Sequence, residues 1–90
     1  MKLVIKEEGS ILSEIKFEIK ESIGILSEGS KGWQKEFNLI SWNERKPKAD
    51  IRDWAPEHEK MGKGVTLNKA ELIQLKELLN SIDLEDLEID

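Results

Sequence analysis

Three tryptophans, both arginines and the only histidine of this 90-residue chain fall between Gly32 and Leu67. Trp42 and Trp54 stand close in sequence to Arg45, Lys46, Lys48 and Arg52, with Lys60 and Lys63 following. An indole face can take a stacked base and an ammonium or guanidinium can meet a phosphate, which together form the chemistry an unpaired nucleic-acid strand requires. By composition alone, burial of the rings in a core weighs about equally with such a role. The neighbouring cations favour stacking for Trp42 and Trp54, and Trp33 is assigned to the core.

Catalytic chemistry finds little support. His58 sits among charged loop residues, with no flanking nucleophile elbow, and His58-Glu59 lacks the second histidine of a zinc-protease helix. It reads as a solvated loop histidine. Gly62-Lys63-Gly64 lacks the lead and the trailing Ser/Thr of a nucleotide-hydrolase phosphate loop, so it reads as a backbone turn that lets the main chain approach closely. The acids between Asp83 and Asp90 lack the central glycine of a calcium loop and read as a solvated face. No catalytic residue, metal site or cofactor is expected.

The balance of charge refines the partner. The chain carries a net −5, but residues 32–67 hold seven cations against six acids, while residues 68–90 hold two lysines against seven acids. Overall acidity therefore resides mostly in the C-terminal part and is a poor guide to the local field. The absence of cysteine rules out disulfides and thiolate metal sites and suits a reducing compartment. No apolar run approaches the roughly 20 residues a membrane helix needs, and no apolar signal core opens the chain. The expected location is the cytoplasm, at the nucleoid, with no membrane partner. Ninety residues form one small domain with a thin core, a size at which pairing with a second copy often supplies stability.

Several elements must position these groups. Lys16–Lys20 alternates charged and apolar residues, the period of a half-buried strand, and Ile23–Ser27 reads as a second strand. Residues 28–32 have turn composition. Trp33–Trp42 is a longer third strand with Trp33, Lys35, Phe37, Leu39 and Ser41 on one face and Gln34, Glu36, Asn38, Ile40 and Trp42 on the other. A basic turn ending by Lys48 leads into a fourth strand, Lys48–Trp54, in which Lys48, Asp50, Arg52 and Trp54 share a face. Residues 57–64 read as a charged loop. Asn68 and Glu71 form a capping-box pair that opens a helix. Its stripe of Leu72, Leu75, Leu79 and Ile82 suits packing on a sheet or on a twin helix. Residues 5–14 and 19–28 match at seven of ten positions, either a duplicated strand-turn unit or a convergence of two Ile/Lys/Ser/Glu segments. Residues 1–15 form an N-terminal extension that adds a strand or stays a loose arm, 16–82 the binding domain, and 83–90 an acidic tail.

The blocks Lys31-Gly32-Trp33, Ile40-Ser41-Trp42-Asn43, Lys48-Ala49-Asp50-Ile51-Arg52-Asp53-Trp54 and Met61-Gly62-Lys63-Gly64-Val65-Thr66-Leu67 run in the order seen in bacterial YdbC-like proteins. These belong to the transcriptional positive coactivator (PC4/p15-type) family, which the chain resembles over about residues 16–80. The resemblance implies an α+β fold: a curved four-stranded antiparallel sheet followed by one helix (ββββα), with a possible extra N-terminal strand. It also implies a homodimer, with Leu72, Leu75, Leu79 and Ile82 at the interface, that binds single-stranded DNA with little sequence preference. In that reading Trp42 and Trp54 stack on bases, and Lys35, Arg45, Lys46, Lys48, Arg52, Lys60 and Lys63 touch the backbone. The chain lacks the Ser/Lys-rich regulatory N-terminal region of the eukaryotic coactivator. Two other readings stay open: a protein-interaction module in which the helix and acidic tail dock transcription or replication proteins, and binding of RNA.

Overall fold

The computed structural model describes residues 2–5 and 15–90, with side chains from Lys16 onward. Five antiparallel strands form one sheet in chain order, β1 (Lys2–Ile5), β2 (Ile15–Glu28), β3 (Gln34–Trp42), β4 (Lys48–Trp54) and β5 (Met61–Leu67), followed by helix α1 (Lys69–Asn80). Strands β2 to β5 and α1 make the expected ββββα unit. The extra N-terminal strand is β1, which pairs with the start of β2 from Lys2↔Glu18 to Ile5↔Ile15. The first copy of the internal repeat lies, except for Ile5, outside the described residues.

The strand boundaries differ from expectation in two places. The two short strands expected over 16–20 and 23–27 are one 14-residue strand, β2. Its register with β3 slips at three points, between Ile19 and Glu21, Ser22 and Gly24, and Ile25 and Ser27. Such bulges bend a strand without ending it, so a break in alternation does not mark a turn. Likewise, the expected loop over 57–64 holds only a short 3-10 turn at Pro56–His58 before β5 begins at Met61. Gly64 lies in β5 opposite Arg52, where a Cβ would sit 2.5 Å from Arg52 Cβ and from the Ile51 carbonyl oxygen. The glycine thus permits close strand approach rather than signalling a loop.

The core occupies one face of the bent sheet. Phe17, Ile19, Ile40 and Trp54 are buried there, with Trp42 and Met61 packed against them. The Phe17 ring lies 5.5 Å from Trp54 and 5.8 Å from Trp42, which joins β2 to β4 across β3. Burying an aromatic of this size is worth roughly 1.5–3 kcal/mol, so these rings carry much of a small core.

Helix α1 lies toward the other face. Asn68 and Glu71 cap it reciprocally, at 2.9 and 2.8 Å, as the spacing predicts. None of its residues is buried. Leu72, Leu75 and Leu79 face Leu26, Phe37 and Ile51 across an apolar cleft of about 470 Å³. Residues 83–90 carry a short 3-10 turn at Leu84–Asp86, and all are exposed.

Candidate nucleic-acid interface

The hairpin between β3 and β4 builds the site. Arg45 N–H donates to the Trp42 carbonyl at 3.0 Å. Asn43 and Glu44 both take left-handed backbone angles, with φ of 51° and 65°. Two successive residues of this kind match the twist of the flanking strands in a tight hairpin. Ser41 Oγ donates to the Arg45 carbonyl at 2.6 Å and braces the turn. Arg45, Lys46 and Lys48 emerge exposed immediately after Trp42.

On β4, the shared face expected for Asp50, Arg52 and Trp54 is the inner one. Arg52 Nε and Nη2 donate to the two Asp50 carboxylate oxygens, each at 2.9 Å, and Nη1 donates to the Gly62 carbonyl at 3.1 Å. Asp50, with no exposed surface, also accepts from Thr66 Oγ1 at 2.8 Å. A planar guanidinium matched to a carboxylate in this way is fixed in orientation as well as paired in charge. Its central carbon then lies 5.3 Å from the centre of the half-buried Trp42 ring, a cation–π distance. The indole rests on an anchored cation.

Trp54 departs from expectation. It is 1% exposed and belongs to the core, so its ring is not an open stacking surface. The His58 ring covers it at 4.6 Å, and His58 Nε2 meets both Glu36 carboxylate oxygens, at 2.9 and 3.1 Å. Asn38 Nδ2 donates to the same carboxylate at 3.1 Å. His58 is therefore not a solvated loop histidine. It is half-buried and ties the 3-10 turn to β3, with Glu57 and His58 held at φ of 57° and 58°. The indole N–H groups of Trp42 and Trp54 are both buried with no acceptor among the described residues. Trp33, assigned to the core, is instead half-buried outside the core cluster.

The remaining predicted cations divide between places. Lys60 and Lys63 are exposed on either side of Gly62, the residue whose carbonyl binds Arg52. Lys35 is exposed on β3 opposite Asp53 and, by alternation, on the face away from Glu36, Asn38 and Trp42. The structure thus brings together Trp42 and Arg52 beside the turn bearing Arg45, Lys46 and Lys48, and it sets Lys35 apart. Asp50, Thr66, Glu36 and His58 shape the site although none was singled out for it. For Asp50 the strand alternation held a signal, whereas nothing local links Glu36 to His58. Among the described residues no group of three or more His, Cys, Asp or Glu side chains gathers as a metal site would need.

Residues 29–78 match the family model of Transcriptional Coactivator p15 (PC4). This chain belongs to that family. An uncharacterized protein of Treponema pallidum (strain Nichols) is 46% identical to it over 80 residues, covering 89% of this chain and 94% of the relative. The PC4 family is a DNA-binding, coactivator-type family, and the present chain is a bacterial-type PC4-like member of it. No helix among the described residues is long and apolar enough to cross a membrane.

Proposed function

We propose that this PC4-like protein binds single-stranded DNA without reading its sequence and performs no catalysis. The observation that carries the reading is the half-buried Trp42 ring set on the anchored Arg52 guanidinium beside the exposed cations of the hairpin turn. A base stacked on such a ring gains about 1–3 kcal/mol whatever its identity, because every base has a π-face. Arg45, Lys46 and Lys48 meet phosphates next to that ring, with Lys60 and Lys63 beside the Gly62 end of β5. Lys35 contacts a strand only where it passes to the other face. Arg52 is largely compensated by Asp50, so its main part is to support the indole.

The acting form is a homodimer. Support comes from α1, which buries none of its residues and leaves Leu79 at 46% exposure beside an open apolar cleft; Ile82, expected on the helix stripe, lies two residues past its end at Asn80 and is 43% exposed. Leu72 and Leu75 line the same cleft and complete the interface. The protein acts in the cytoplasm at the nucleoid, in transcription, replication or repair.

Tryptophan fluorescence titrated with oligo-dT, with the corresponding RNA strand and with duplex DNA tests the reading. Quenching by the single DNA strand alone supports it. The logarithm of affinity should fall with the logarithm of salt at about 0.7 per phosphate contacted. Equal response to duplex, or no response to any strand, would count against it, and a stronger response to RNA would move the assignment to RNA.

A further inference from the structure

Trp33 has no place in the strand-binding scheme above, yet it is built into a defined setting. Its carbonyl accepts from Gly29 N–H at 2.7 Å and its N–H donates to the Ser30 carbonyl at 3.1 Å, which pins the backbone at the start of β3. A Cβ on Gly62 would lie 3.0 Å from Trp33 Cζ3 and as close to the Asp53 carbonyl, so the glycine leaves the indole its position. The ring is half-buried and lines an open cavity of about 420 Å³, shared with Ser27, Gly29, Ser30, Lys35 and Asp53. That volume falls within the range of roughly 300–1,000 Å³ usual for small-ligand sites.

The chemistry around the cavity is specific. Trp33 is the aromatic residue of the lining. Two hydroxyls, one ammonium and one carboxylate supply the polar groups, and Lys35 and Asp53 are direct cross-strand partners. A cluster of cations alone would suggest a phosphate. A carboxylate beside a cation requires a ligand that donates and accepts side by side. An unpaired base offers such an edge together with a π-face. Guanine presents N1–H and N2–H as adjacent donors, the match for the two oxygens of a carboxylate, with O6 next to them for the ammonium.

The geometry points to a second nucleotide subsite, in which an unpaired guanine stacks on Trp33 and pairs its edge with Asp53, with Lys35 at O6. The inference rests on the strand-binding reading and narrows it: the Trp42 site takes any base, and this second site adds a modest preference for guanine. Its test separates the two. In the first arm, deoxyguanosine monophosphate alone is titrated while the indole N–H resonances are followed by NMR. The Trp33 resonance should move and should saturate at a lower nucleotide concentration than that of Trp42, whose ring takes any base, while that of Trp54 should stay in place. In the second arm, oligo-dT with one central guanine is compared with the same strand carrying adenine. The guanine strand should bind about fivefold more tightly, the low end of what one recognised base contributes. Asp53→Asn should erase that preference. Trp33→Leu should lower affinity about fivefold or more, and Trp33→Phe, which keeps an aromatic face, should retain most of it.

A Trp33 resonance that ignores both the nucleotide and the strand, while Trp42 responds to the strand, overturns the subsite and leaves strand binding standing. A Trp33 resonance that follows the nucleotide when no strand binds keeps the subsite and removes the strand-binding reading.

Discussion

Asp50 and Arg52, two residues apart on β4, are joined by two parallel contacts of 2.9 Å inside the sheet. Neighbours at this spacing point to the same side of a strand, and here that side is closed by the core. The carboxylate has no exposed surface and the guanidinium side chain is 14% exposed. The pair therefore works less as a free cation for a ligand than as a rigid footing for Trp42.

Removing either partner should be costly. Arg52→Ala leaves a buried carboxylate supported by Thr66 alone, and a loss of about 3–5 kcal/mol is expected. Arg52→Lys should restore little, since an ammonium cannot match both oxygens at once. Urea unfolding of Asp50→Ala, Arg52→Ala and the double variant checks the pairing, with a coupling energy of about 1 kcal/mol or more expected. Strict additivity would show that the contacts do not stabilise each other.

Trp42 and Trp54 should fail in different ways. Trp54→Ala empties a fully buried site and should cost about 3–5 kcal/mol of stability. Trp42→Ala, at a half-buried position, should cost less stability but weaken binding to oligo-dT by about 1–3 kcal/mol. Thermal unfolding and strand titration of both variants read the contrast. A Trp42→Ala protein that is stable and binds as before would remove the stacking role.

The glycines of the sheet differ in what they permit. Gly64→Ala forces a methyl group to within 2.5 Å of Arg52 Cβ and should destabilise by about 1–3 kcal/mol. Gly24→Ala, on β2 with nothing among the described residues within 4 Å of its Cβ position, should be neutral or mildly stabilising. Equal effects at the two positions would mean that close approach of β4 and β5 is not what Gly64 provides.

The helix face should govern assembly. Leu79→Lys places a charge on the apolar cleft wall without disturbing a buried side chain. Sedimentation equilibrium should show wild-type dimers and a variant shifted to monomer. A variant that remains dimeric would place the interface elsewhere.

Much of this protein is written in local sequence. The capping box at Asn68 and Glu71, the alternation from Lys48 to Trp54 and the turn at Asn43–Pro47 each depend on neighbours a few residues away, so residue order alone determined them. The family blocks between Lys31 and Leu67 likewise named the fold. Only the tertiary structure decided which face of β4 is inside. That choice depends on Phe17 of β2, far back along the chain, and His58 of the nearby 3-10 turn both packing on Trp54. The same holds for Glu36 and His58, paired across 22 residues, and for Gly62-Lys63-Gly64, which became strand because β4 lay beside it. Periodicity tells which side chains share a face. The bend of the sheet, set by bulges and by contacts distant along the chain, tells whether that face meets water.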